Sequence, residues 1–165
     1  MTVEAIALPV LLPSGGTLRV REAKWEQSGT GSGTGALLWP SANTLCRWLS
    51  SNAESVRGSS VLELGCGTGA AGLYAAGLGA AQVVLSDGDA AAVALAANNL
   101  GDNTAAIPSA TEVRTMQLMW GSAHPAPVGP WNLVLGSDCA LIEWWPDLAD
   151  TLRALLSQHP PPRVI

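Results

Sequence analysis

The residues Val61-Leu62-Glu63-Leu64-Gly65-Cys66-Gly67-Thr68-Gly69 hold the strongest chemical signal in the chain. Three glycines alternate directly after an apolar run and directly before a helix-forming stretch. Lacking Cβ, glycine permits a tight turn and lets a ligand lie against the backbone. The helix that follows points the partial positive charge of its N-terminus at that ligand, which suits a carboxylate or a phosphate. The second signal is Asp87, which follows the apolar run Gln82–Ser86. An acid about 20 residues beyond such a loop can accept both hydroxyls of a ribose. Asp89 competes for that role, but it reads better as the N-cap of the alanine-rich helix after it.

Two nucleotide classes share this layout. Gly67-Thr68-Gly69-Ala70-Ala71-Gly72 also satisfies the dinucleotide fingerprint, and the spacing to the acid fits NAD. Glu63 separates them. A carboxylate inside a buried strand is costly without a partner. The ammonium and sulfonium of S-adenosylmethionine offer one, whereas a pyrophosphate is repelled. An NAD-dependent oxidoreductase also lacks a hydride-transfer partner here. There is no Tyr-x-x-x-Lys, and the sole tyrosine, Tyr74, falls in the middle of the helix after the glycine loop.

The elements that must position these residues follow from pattern. Residues 3–12 and 17–22 flank the turn Pro13-Ser14-Gly15-Gly16 and predict a β-hairpin. Residues 28–35, SGTGSGTG, predict a flexible loop. They are not a phosphate loop, because no buried strand precedes them and no Lys-Ser/Thr follows. Ser41 is expected to N-cap a helix to about Ala53, with Leu45, Trp48 and Leu49 on one face. Strands are predicted at 61–64, 82–86, 113–118 and 133–135. Helices are predicted from 69 to 78, after Asp89 to Leu100-Gly101, and over 144–157. Arg163-Val164-Ile165 begins a fifth strand after Pro160-Pro161-Pro162. Strands alternating with helices predict an α/β fold: a Rossmann-like, doubly wound, mostly parallel sheet that binds ligands at its carboxyl ends. Residues 1–35 are assigned to an N-terminal β-hairpin and Gly-rich loop, and 36–165 to the cofactor-binding domain.

Glu-Leu-Gly-Cys-Gly-Thr-Gly resembles the first motif of class I (seven-β-strand) S-adenosylmethionine-dependent methyltransferases. Gly35-Ala36-Leu37-Leu38-Trp39-Pro40-Ser41-Ala42 resembles the segment before the first helix in the protein-lysine methyltransferase branch, of methyltransferase-like 21 type. Leu85-Ser86-Asp87 with Asn98-Asn99, Met119-Trp120-Gly121, and Leu135-Gly136-Ser137-Asp138-Cys139 are similar to three further motifs of that branch, in the same order. The resemblance implies roles by position. Trp39 and Trp120 line the cofactor site, with Trp120 near the adenine. Gly65, Cys66 and Gly67 cradle the amino-acid end, with Glu63 close by. Asp87 holds the ribose, the Ser137 backbone lies beside the cofactor, and Asp138 faces the methyl acceptor. Each has a plainer alternative: core for Trp39, closure of the sheet for Trp120, a small neutral side chain for Cys66, a helix cap for Asp138. One departure concerns the acceptor side. Where the family resembles D-x-x-Y/F, this chain has Leu141. Trp144 or Trp145 then either offers a π face to a lysine or covers the end of the sheet.

The implied activity is methyl transfer to a lysine of a protein, with a chaperone or translation factor as the expected kind of partner. The alternative is a non-catalytic or inactive S-adenosylmethionine-binding module acting through a protein partner. The family also implies seven strands, so the fold is expected to be incomplete at the C-terminus. Composition narrows the rest. The 165 residues are 48% hydrophobic and 13% charged, with a net charge of −5, so a packed core is expected and nucleic acid is not. No apolar run is long enough to span a bilayer. Cys46, Cys66 and Cys139 form no metal-ligand spacing, which predicts no metal site and fits a reducing, cytoplasmic setting. A monomer is expected. His124 and His159 lie in Pro-rich loops and are not expected to serve as a base.

Overall fold

The computed structural model of the chain describes residues 4–22, 35, 37–140 and 142–165. The glycine-rich loop reading (28–34), Ala36 and Leu141 therefore lie outside the described residues. Strands β1 (Glu4–Ala7) and β2 (Arg19–Glu22) form an antiparallel hairpin with Ala5 opposite Arg21 and Ala7 opposite Arg19. The ladder is shorter than expected. Pro9 and Pro13 have no N–H to donate, and the chain closes instead through Leu12 N to Gly16 O (2.9 Å) and Gly15 N to Leu12 O (2.8 Å).

The main sheet contains β3 (Ser60–Leu64), β4 (Gln82–Asp87), β5 (Glu112–Gln117), β6 (Leu133–Gly136) and β7 (Arg163–Val164). All are parallel, in the order β5-β4-β3-β6-β7. The chain winds outward from β3 through β4 to β5, then crosses back to β6 on the opposite side of β3. That reversal makes the β3/β6 junction the topological switch point, where the loops leaving neighbouring strands diverge and open a crevice.

Side chains alternate across the sheet with a period of two. Leu62, Leu64, Val84 and Val134 face one way and pack with Leu148 and Leu155 of helix α5 (Trp145–Leu156). Val61, Val83, Leu85, Leu133 and Leu135 face the other way, into a core shared with the hairpin, α1 (Pro40–Ser51) and α3 (Ala70–Gly77). A short helix α2 (Ala53–Val56) follows α1, and α4 (Ala90–Asn103) packs over β4 and β5. Helix α3 is buried almost throughout. Its Tyr74 hydroxyl donates to Leu11 O at 2.9 Å, which docks the hairpin and gives that tyrosine a structural partner.

Two local expectations are corrected. Ser41 does not cap α1: the N-cap is Trp39, Pro40 opens the helix, and no side chain caps it. Proline at the first helical position has its φ pre-set and no N–H to satisfy, so the helix starts before Ser41. Helix α4 runs past Leu100-Gly101 to Asn103, because Asn103 is tied by its side chain to the Asn99 carbonyl and to Arg19.

Candidate functional site

A cavity of about 540 Å³ opens at the carboxyl ends of β3, β4, β5 and β6. All nine residues singled out from the sequence line it: Trp39; Glu63, Gly65, Cys66 and Gly67; Asp87; Trp120; Ser137 and Asp138. Five separate stretches of chain therefore converge on one space.

The floor is the loop 65–69. Gly65 has φ 61° and Gly67 φ 51°, a left-handed region that disfavours any side chain. Space forbids one as well. A Cβ at Gly65 would lie 2.8 Å from Cys139 Cβ, and one at Gly67 would lie 2.7 Å from the Gly35 carbonyl oxygen. The loop is tied at several points. Cys66 N donates to Ser86 O (2.9 Å), Gly67 N donates to Asp87 Oδ2 (2.9 Å), and Asp87 Oδ1 accepts from Asp89 N (3.0 Å). Asp89 in turn caps α4 by accepting from Ala91 N at 2.9 Å, as expected, and also lines the cavity.

Glu63 points to the α3 side of the sheet, and only 3% of it is exposed. Its Oε2 accepts from Gly72 N at 2.9 Å, in the first turn of α3. The buried acid thus has an internal partner, an amide at a helix N-terminus, and no ligand is needed to explain its presence. One such bond does not offset burial. Desolvation, with a smaller contribution from the Asp87 charge, pushes the carboxyl from an ordinary 4.5 up to about 8. The folded chain therefore keeps a proton that the unfolded chain releases near 4.5. Stability should fall as pH rises from about 4.5 to about 8 and then level off, by an amount on the order of 4 kcal/mol. Glu63→Gln retains an oxygen for Gly72 N but cannot ionise, so urea midpoints at pH 5, 7 and 8.5 should lose this decline. Equal slopes in both proteins would mean that Glu63 does not titrate in this window.

Trp120 is half-buried, and its Nε1 is buried with no hydrogen-bond partner among the described residues. An unpaired buried donor in a cavity wall is a point of attachment left open. Asp138 sits at φ 51°, the one positive-φ non-glycine among the described residues. Its Oδ2 accepts from the Ser41 hydroxyl at 2.6 Å. The cap alternative for Asp138 falls, since α5 begins at Trp145 with Trp144 as its N-cap. Burial pushes the thiols of Cys66 and Cys139 upward, which keeps both neutral. Neither His124 nor His159 reaches the cavity, and both are exposed.

Sequence reasoning missed several lining residues. Cys139, Met119 and Thr68 adjoin named residues and follow strands, so the rule of looking beyond each strand end reaches them. Asp147 lies in α5 and gave no signal. Trp144 lines the cavity at 46% exposed; Trp145, at 58%, does not line it. No cluster able to hold a metal occurs among the described residues.

Solved structures share the fold. YhhF of Escherichia coli aligns with TM-score 0.56 at 18% identity, over 98% of this chain and 76% of that one. An S-adenosylmethionine-dependent methyltransferase of Agrobacterium tumefaciens aligns with TM-score 0.52 at 19% identity, over 82% and 40%. Sequence relatives are closer. Protein N-lysine methyltransferase METTL21A of Xenopus tropicalis is 38% identical over 82% of this chain and 60% of its own length. EEF1A lysine methyltransferase 3 of Mus musculus is 35% identical over 79% and 55%. Calmodulin-lysine N-methyltransferase of Arabidopsis thaliana is 36% identical over 72% and 40%. The chain thus spans about half the length of these relatives. A model of the lysine methyltransferase family matches residues 20–165, from within the second hairpin strand through β7 to Ile165. The match takes in every strand that frames the cavity, and the chain belongs to the lysine methyltransferase family, whose methyl donor is S-adenosylmethionine.

Proposed function

We propose that this chain binds S-adenosylmethionine in the β3/β6 crevice and directs its methyl group to a lysine side chain of a protein. The observation that carries this reading is the charge of the cavity. Asp87, Asp89, Asp138 and Asp147 line it beside the neutral acid Glu63, and among the described residues no Lys, Arg or His does. Such a lining favours a cationic ligand and repels the pyrophosphate of a dinucleotide.

The residues present fit the cofactor. Gly65 and Gly67 let the loop turn tightly against Cys139 and Gly35, where a Cβ would clash, and both line the cavity. Asp87 uses one lone pair of each oxygen on the loop amides, so each oxygen retains capacity for a ribose hydroxyl. Trp120 offers a flat wall and an unpaired Nε1. Glu63, protonated at neutral pH, is close enough to the loop to give up its proton when an ammonium settles there. Trp39 and the Ser137 backbone complete the walls.

When bound, S-adenosylmethionine supplies a methyl on a sulfonium, with a neutral thioether as leaving group. The chain's own residues then have to align and dry the acceptor. Trp39, Met119 and Trp144 are exposed at the cavity and suit the apolar stem and ammonium of a lysine. An ammonium has no lone pair, so the lysine must lose a proton before it attacks. Asp138, oriented by Ser41 Oγ, holds the amine and stabilises the charge that develops on nitrogen.

A protein acceptor is supported by the relatives named for EEF1A and calmodulin, and a translation factor or chaperone remains the expected kind. The acidic balance favours neither nucleic acid nor an anionic membrane. Among the described residues no helix is long and apolar enough to cross a membrane. A monomer in the cytoplasm is the setting we propose. The second reading, a cofactor-binding module without transfer, is favoured by Leu141, which stands where the family has an aromatic after Asp138.

Calorimetric titration with S-adenosylhomocysteine, with NAD as the control, tests the cofactor. Micromolar binding of the first and none of the second is expected. NAD binding would overturn the reading. Incubation with S-adenosylmethionine labelled in its methyl group and a protein extract then separates the two readings. Label on lysine supports the enzyme, and binding without label supports the module.

A further inference from the structure

We propose that Asn99 is a positioning residue that couples docking of the N-terminal hairpin to the glycine loop, so that hairpin and cofactor stabilise one another. The proposal rests on the cofactor reading above. Asn99 is fully buried in α4. Its Oδ1 accepts from Arg21 N at 2.7 Å, and its Nδ2 donates to Arg21 O (3.1 Å) and to Thr68 O (2.8 Å). Both amide protons and the oxygen are engaged, on two structures 47 residues apart in sequence by the numbering of Arg21 and Thr68.

The hairpin side of this contact is built like a strand pairing. Alternate residues of a strand present their N–H and C=O on the same edge. On β2 these are Arg19 and Arg21. Asn99 takes both groups of Arg21. Asn103, one helical turn on, takes both groups of Arg19 at 2.9 and 2.6 Å. Two side-chain amides on one face of α4 thus stand in for a neighbouring strand. Arg21 also forks onto Asp102 through its guanidinium.

Only Asn99 carries this contact into the site. Thr68 follows Gly67, whose N–H is held by Asp87. The loop is thereby gripped on one side from β4 and on the other from α4. The hairpin reaches the cavity by a second route. Glu22, next to Arg21, accepts from Leu38 N at 2.8 Å, and Leu38 precedes Trp39 in the cavity wall. Anything that seats β2 on Asn99 places both the floor and this wall. Removing the Asn99 amide leaves Arg21 N, Arg21 O and Thr68 O without that partner, whereas removing the Asn103 amide leaves the loop contact intact.

Coupling is reciprocal, so a ligand in the cavity must steady the hairpin. Hydrogen exchange on the full chain reads this without any substitution. With saturating S-adenosylhomocysteine, amides of β1 and β2 are expected to exchange at least about fivefold more slowly. Calorimetry then assigns the effect. Asn99→Ala should weaken binding about tenfold, and Asn103→Ala by no more than about threefold, both measured below their unfolding transitions. The slowing at the hairpin should persist in Asn103→Ala and vanish in Asn99→Ala. Bound ligand with unchanged hairpin exchange overturns the coupling alone. Equal losses of affinity in the two variants overturn the role of Asn99. A folded chain that binds no S-adenosylhomocysteine overturns the cofactor reading and this proposal with it.

Discussion

Asp87→Ala is expected to weaken S-adenosylhomocysteine binding by at least about 100-fold, because two effects add. The carboxylate would hold a ribose through charge-assisted hydrogen bonds, which are stronger than neutral ones. It also anchors the cradle itself, through Gly67 N and Asp89 N. Without it the glycine loop loses the bond that keeps Gly67 at φ 51° against Gly35. Calorimetry gives the affinity, and a urea melt shows whether the variant is folded. Asp89→Ala is the matched control. It removes the α4 cap, costing about 1 kcal/mol of stability, and should change affinity less than about threefold. Losses of similar size in both variants would move the ribose anchor away from Asp87.

The second large effect is on turnover. Asp138→Asn should lower methyl incorporation at least about 100-fold and leave S-adenosylhomocysteine affinity within about twofold. Asparagine is the informative replacement. It tolerates a left-handed backbone at φ 51° and retains an oxygen for the Ser41 hydroxyl, so it removes the charge with little else. Alanine adds backbone strain of about 1–2 kcal/mol at that φ, which confuses chemistry with stability. Turnover unchanged in Asp138→Asn would take Asp138 out of the mechanism. Ser41→Ala should cost less, since the carboxylate stays and loses only its orientation.

Much of the fold and of the site is legible in the sequence. A parallel α/β sheet places functional residues just beyond its strands, so residues following predicted strands were the ones to inspect. The glycine loop, Asp87, Trp120, Ser137 and Asp138 all lie there, and all line the cavity. Roles for Trp39, Trp120, Ser137 and Asp138 come only through the family resemblance, whereas residue type and spacing alone reach the glycine loop, Glu63 and Asp87. What stayed hidden has a common cause. Ser41 looks like a cap because the residue type suits one, yet the preceding proline takes the start of the helix and frees Ser41 to bond a residue 97 positions away. Glu63 looks as if it needs a cation, yet the first turn of α3 supplies an amide. Asn99 reads only as part of a family motif and Asn103 falls beyond the expected helix end at Leu100-Gly101, because side-chain amides satisfying a distant strand leave no periodic trace. Each case turns on a polar contact between separate elements, and hydrophobic patterning is blind to those.

The two asparagines on α4 also bear on how the protein keeps out of trouble in concentrated solution. A strand edge with free N–H and C=O groups is a template on which another chain can build. The outer edge of β2 is occupied at Arg19 and Arg21 by side-chain amides, which end the ladder because no backbone continues beyond them. The hairpin is held without offering itself to a stranger. At the far edge of the main sheet, β5 relies on a different safeguard, the charges of Glu112 and Arg114. A chain that lost both asparagines would then be expected to clump by strand exchange at the hairpin before its main sheet opened.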